Sequence, residues 1–216
     1  MWRDLYDSLK DGNFVLLAVA EDNAAAARPW IEQATPTYPC AIDADHRVAA
    51  LYGMVNVPQA VWIDEAGRIV RPSETAGSTD HFRHMDLATR TMTAEDMAAR
   101  LAARAAYMEA VRDWVRTGRH ALDAETARRL LPRVTADMAL ADAHFRLGLW
   151  LRRNGRETDA VAALAEASRL HPYSWNMWRQ AAEKNETGLA AGPLFWERLN
   201  ALGEKPYYPP PDLPGF

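Results

Sequence analysis

Apolar positions change their period along this chain. Trp2, Leu5, Tyr6 and Leu9 fall at helical spacing, and Asp11-Gly12-Asn13 supplies a stop and a turn. Phe14 to Ala20 is then continuously apolar, the pattern of a strand covered on both faces. Asn23 to Gln33 reads as a helix marked by Ala26, Trp30 and Ile31. Tyr38 to Ile42 reads as a short extended piece after Pro36, and Asp45 to Tyr52 as a second helix ended by Gly53. Gln59 to Asp64 and Arg68 to Arg71 flank Glu65-Ala66-Gly67, a hairpin signal. The alternation predicts an α/β sandwich.

Asp80 to Met92 is polar and irregular and reads as a connector. Thr93 is a helix N-cap signal, after which Met97, Leu101, Met108, Val111 and Val115 mark a long amphipathic helix stopped near Gly118. A further helix is predicted over Ala124 to Leu131, interrupted by Pro132. From there to Asn200 strand signals vanish. The expected division is an α/β unit over 1–77, a connector over 78–93, an all-α unit over 94–202 and a proline-rich tail over 203–216.

Within the all-α unit, Leu147-Gly148, Leu151, Gly155, Ala160, Leu164, Ala167 and Pro172 fall at offsets that resemble a tetratricopeptide repeat. Small Gly148, Ala160 and Ala167 let two antiparallel helices approach, Asn154-Gly155 makes the turn, and Pro172 ends the second helix. One repeat cannot bury its own faces and needs neighbouring helices or the α/β unit to pack on. The tail around Pro206 to Pro211 must be extended. Its tyrosines gain most from burial, so a strap laid over the helices is expected rather than a free ligand for another protein's groove.

Composition narrows the function classes. The 216 residues are 49% hydrophobic and 25% charged, ordinary for a globular chain. A formal net charge of -4 and a pI near 5.9 give no bulk reason to expect nucleic-acid binding. Lysine stands only at Lys10, Lys184 and Lys205, so the positive charge is nearly all arginine. The longest apolar runs fall well short of the roughly 20 residues that cross a bilayer. Arg3, Asp4, Asp7 and Asp11 make the amino terminus unlike a signal or transit peptide, and a cytoplasmic protein is expected from the chain as given.

Tyr38 to Val70 carries the most specific pattern: Tyr52-Gly53, then Asn56-Val57-Pro58-Gln59, the strand Gln59 to Asp64 and the turn Asp64-Glu65-Ala66-Gly67. This stretch resembles the second half of a thioredoxin-fold domain of the TlpA/ResA-like redoxin kind. The resemblance implies a cis peptide bond at Pro58, with Val57 and Pro58 holding an extended substrate beside the reactive sulfur. It also implies a preceding strand and a helix carrying Cys-x-x-Cys. Trp2 to Asp22 resembles the tail of that helix and the next strand, which puts the redox centre upstream of Met1. The expected fold class is therefore a truncated α/β thioredoxin-like domain followed by an all-α tetratricopeptide-like domain. In that fold the missing strand lies between Phe14–Ala20 and Gln59–Asp64. Those two must pair directly or leave a gap that a partner, or a second copy, fills, because unpaired buried backbone is costly.

Two functions follow from the resemblance. One is a thiol- or selenol-dependent oxidoreductase whose full-length form carries the redox pair, inactive as this chain. The other is a non-catalytic scaffold that presents a groove to a peptide or protein. No cofactor, nucleic acid or membrane is implied. Cys40 is the lone thiol and the lone catalytic candidate; with no lysine or helix start nearby to activate it, it reads as a small, half-buried apolar residue. His81 and His84, flanked by Asp80 and Asp86, have a spacing zinc uses, yet a site needs at least three convergent ligands, and the segment reads as connector, with no metal expected. Asp43, Asp45, Asp64 and Glu65 stand where turns and helix starts favour carboxylates.

Overall fold

The computed structural model describes residues 1–186 and 188–216. Helix α1 (Trp2–Leu9) buries Leu5 and Leu9, and strand β1 (Ala18–Ala20) follows. Helix α2 (Ala24–Ala34) starts where Asn23 Oδ1 accepts the Ala26 N–H, and leads to β2 (Cys40–Ile42). Helix α3 (Arg47–Leu51) is started by Asp43, whose two oxygens accept the N–H groups of Arg47 (2.8 Å) and Val48 (2.7 Å). The cap gives that buried carboxylate a structural task. Strands β3 (Gln59–Ile63) and β4 (Ile69–Thr75) form a hairpin whose turn is held by Asp64, which accepts the Ala66 and Arg68 N–H groups at 3.0 and 2.9 Å.

A 3₁₀ turn (Asp80–His84) precedes α4 (Ala94–Thr117), capped by Thr93 and closed by Gly118 at φ 74. Asp123 caps α5 (Ala124–Leu130), which stops before Pro132. Helices α6 (Ala136–Arg153) and α7 (Glu157–Leu170) turn back on one another at Asn154 and Gly155 (φ 73), followed by α8 (Trp175–Ala181) and α9 (Pro193–Asn200).

The sheet is split. β1 and β2 pair in parallel, β3 and β4 pair antiparallel with bulges, and the two pairs share no ladder among the described residues. The expected seven-residue strand from Phe14 shrinks to its last three residues. Pro39, just ahead of β2, has no N–H to continue the parallel ladder. Val15 and Leu17 are 75% and 57% exposed, so this segment lacks the two-sided cover that its composition suggests.

Four apolar clusters are buried among the described residues, and two of them bear on the site. In the first, α4 lies across the β3–β4 hairpin and α1, burying Leu5, Trp62, Tyr107, Met108 and Val111 with Leu213 from the tail. The second is aromatic: Trp175 and Tyr207 are buried, with Phe82, Trp178 and Phe195 packed against them. The α6–α7 pair closes on Gly148, where an added Cβ would come within 2.6 Å of Leu164 Cγ. The tail is a strap fastened by Asp80, whose carboxylate oxygens accept the N–H groups of Tyr207 (2.8 Å) and Tyr208 (2.7 Å).

Burial raises the phenol pKa of Tyr107, Tyr207 and Tyr208 above the ordinary value. A raised folded pKa stabilises the fold while the phenols of the unfolded chain stay protonated. That contribution is lost as pH rises past about 10, where an unperturbed tyrosine ionises. The urea midpoint should therefore fall between mildly alkaline and strongly alkaline buffer. A midpoint that holds constant would contradict the burial of these three rings.

Candidate functional site

The segment between α3 and β3 is shaped by side-chain amides. Gly53 (φ 63) ends α3 against Pro132, where a Cβ would sit 2.5 Å from the ring. Gln59 Oε1 then accepts the N–H groups of Val55 (2.8 Å) and Asn56 (3.0 Å), drawing Met54 to Pro58 into a tight loop. Buried Asn56 accepts the Val57 N–H at 2.9 Å and donates from Nδ2 to the Tyr207 carbonyl at 3.2 Å. Asn176 on α8 donates to the Met54 carbonyl (3.2 Å) and, through its backbone, to that of Val55 (3.1 Å). The Val57–Pro58 peptide bond is cis.

These contacts affect the two positions to which the sequence resemblance assigns substrate binding. The Val57 N–H is held by Asn56, and the Val57 carbonyl accepts the Tyr208 hydroxyl at 2.9 Å. The tail strap therefore occupies the Val57 carbonyl, one of the groups that the resemblance assigns to a substrate. Pro58 lines the mouths of two cavities, one on each side of the loop.

The larger cavity, about 740 Å³, is the space between the two half-sheets. Two of its walls are strand edges, and residues of α1, α3 and α4 complete the lining. On β1 the Ala18 N–H donates to Pro39 and the Ala20 carbonyl accepts from Asp43, both toward β2. Strand alternation then turns the backbone groups of Leu17 and Val19 the other way, into the cavity. On β3 the Pro58 carbonyl accepts from Ala76 and the Asp64 N–H donates to Arg68, both toward β4. Gln59, Val61 and Ile63 are thereby turned to the same space. No backbone hydrogen bond reaches Leu17, Val19, Gln59 or Val61 from that side among the described residues. Asn13 Nδ2 donates to Glu65 Oε1 at 2.8 Å, which sets the approach to β1 beside the end of β3. The two free edges therefore face one another and run in opposite senses.

The lining is mostly apolar; its charged members are three carboxylates, Glu21, Asp64 and Glu65, and the amides of Asn13 and Gln59 and the phenols of Tyr38 and Tyr52 are its other polar groups. Hydrogen bonds from Arg68 hold the Asp64 carboxyl below its usual range. Such an arrangement offers main-chain donors and acceptors on both sides of a greasy slot. It suits an extended backbone far better than a compact small molecule.

Cys40 is exposed on β2, in contrast to the half-buried position that its neighbours suggest; β2 is an edge strand, paired only with β1 among the described residues. It lines neither cavity, and its Sγ lies 3.7 Å from the Tyr38 carbonyl. His81 Nδ1 contacts Thr79 Oγ1 at 2.9 Å, and His84 Nδ1 contacts Asp96 Oδ1 at 2.8 Å. No group of three or more potential metal ligands converges among the described residues. Sequence reasoning placed Asn56 and Gln59 in the motif around Pro58, but it did not single out Asn176 or the contact of Tyr208 with that loop. Their partners lie as far as 151 residues away, as for Tyr208 and Val57, and no local pattern announces them.

Residues 1–71 match the AhpC/TSA family. The match suggests a thioredoxin-like redoxin fold for the amino-terminal part, and the helices downstream are consistent with a carboxy-terminal helical domain. No curated protein and no solved structure matches the chain. No helix among the described residues is long and apolar enough to cross a membrane.

Proposed function

We propose that the α/β unit over 1–77 is the substrate-presenting half of a TlpA/ResA-like redoxin. Thiol–disulfide exchange, or its selenol counterpart, follows when a strand leading into a helix that bears the reactive pair occupies the slot between β1 and β3. The observation that carries this reading is the pair of facing, unpaired strand edges with Pro58 at one end. An inserted strand would bond to Val19 on one side and Val61 on the other, making one continuous sheet. A helix leading from that strand would then set its first turn beside Pro58, where a thiolate is favoured by the positive helix end. A thiolate there attacks a substrate disulfide, one sulfur leaves as thiolate, and a second thiol displaces the mixed disulfide. The residues over 1–216 supply the cradle and not the sulfur pair, since Cys40 lies on the outer edge strand.

The experiment supplies the element. In insulin reduction by dithiothreitol, the chain alone should give background turnover, and Cys40→Ser should leave it there. A fusion placing an apolar strand and a Cys-x-x-Cys helix ahead of Met1 should protect the Val19 and Val61 amides from exchange and raise turnover at least tenfold. Changing its second cysteine to serine should abolish the gain. Amide protection without turnover would leave the scaffold and remove the catalyst, which favours the alternative, a peptide-binding protein. Turnover by the unfused chain that disappears in Cys40→Ser would sink the reading outright.

A further inference from the structure

The second cavity, about 340 Å³, opens on the other side of the Pro58 loop. Its chemistry is opposite in sign to that of the slot. Arg100 and Arg104, one turn apart on α4, both line it, and no aspartate or glutamate does among the described residues. Neither guanidinium has an acidic partner there. Among the described residues the one hydrogen bond of the Arg100 side chain goes to Met92 Sδ, at 3.2 Å, and no hydrogen bond or ion pair is made by the Arg104 side chain. Asp96, one turn before Arg100, is taken up by Thr93 (2.7 Å) and His84 (2.8 Å).

Both arginines are partly buried. Like charges at this helical spacing repel, and drawing two cations out of water without a counter-charge costs further free energy. A fold that carries such a pair beside a cavity is relieved by an anion. Arginine forks match planar or tetrahedral oxyanions through paired N–H donors. Ser78 adds a hydroxyl without a partner among the described residues, while Phe82, Phe195, Tyr207 and Tyr208 supply an aromatic part of the wall beside Pro58 and Met85.

We infer that this cavity binds an organic oxyanion, a carboxylate or phosphate ester head on an aromatic or aliphatic body. The head lies between Arg100 and Arg104 and the body against the aromatic wall. The size falls in the range of ligand pockets, roughly 300–1,000 Å³. The site goes beyond the redoxin reading and does not depend on it, since no sulfur and no inserted strand takes part.

The test is calorimetric titration of the full chain with phenylacetate, phenyl phosphate and, as a neutral body of similar size, benzyl alcohol. At least one acid should bind saturably and at least tenfold more tightly than the alcohol, and whichever binds tighter identifies the head group. Arg100→Gln and Arg104→Gln should each weaken the acid at least tenfold and leave the alcohol unchanged. Their melting temperatures should hold or rise, because a repulsive pair has been removed. In the wild-type chain, raising salt should weaken the acid and not the alcohol, a readout that needs no variant. Equal binding of acid and alcohol, or acid binding indifferent both to salt and to the loss of either arginine, would overturn the proposal. Failure here leaves the strand slot untouched, and failure of the fusion experiment leaves this cavity untouched.

Discussion

Replacing Arg71 by alanine should cost about 3–5 kcal/mol of stability, the usual penalty for breaking a buried ion pair by removing one partner. Arg71 is 3% exposed and Glu74 is 14% exposed, with the guanidinium on the carboxylate at 2.9 Å. The pair is the hub of a wider network. Arg71 also donates to the His120 carbonyl (2.9 Å) and the Asp212 carbonyl (3.2 Å), and its guanidinium lies 5.3 Å from the Trp62 ring centroid. Glu74 accepts the Tyr107 hydroxyl at 3.1 Å, which in turn accepts Trp62 Nε1–H at 2.9 Å. Truncation strands a largely buried carboxylate and two carbonyls together. Arg71→Lys should recover only part of the loss, because an ammonium cannot span three acceptors in the plane of a fork. Urea unfolding followed by tryptophan fluorescence measures it directly, and a loss under 1 kcal/mol would show that the network adjusts without its centre.

Ala160→Leu should destabilise the α6–α7 pair by about 1–3 kcal/mol through overpacking. Ala160 is fully buried and its carbonyl lies 3.2 Å from the position of a Cβ built on Gly148. The two helix backbones are already as near as small residues permit. Three added heavy atoms must push either Leu164 or the whole of α6 outward. The expected signature is a lowered melting temperature with an unchanged denaturant slope, because the exposed surface on unfolding stays the same. An unaltered melting temperature would mean that the pair packs elsewhere than at this contact.

Much of this chain's local structure is legible without coordinates because it rests on short-range chemistry. Thr93 and Asp123 accept backbone N–H groups within three residues, so their caps are visible in the sequence. Pro132 and Gly118 stop helices for reasons internal to one residue. The antiparallel α6–α7 pair follows from Gly148, Ala160 and Ala167 at helical spacing around a turn that a positive-φ glycine permits. The pattern at Asn56 to Gln59 likewise points to the loop where both cavities meet.

Other features depend on residues far apart in the chain. The continuous apolar run from Phe14 reads as a complete strand, yet a ladder needs a neighbour at hydrogen-bond distance, and only Ala18 to Ala20 have one. Whether Val19 and Val61 would pair or face one another across a gap depends on how α4 and α1 hold the β3–β4 hairpin, which no local period encodes. The same holds for the charges. Arg71 and Arg104 are indistinguishable by composition, but packing gives one a carboxylate, two carbonyls and a tryptophan face, and leaves the other at a cavity wall without a counter-ion among the described residues. Hydrophobic period and capping act over a few residues and so determine the elements. The slot, the strap and the unpaired arginines arise from contacts across 30 to 150 positions, which only the assembled chain brings within reach.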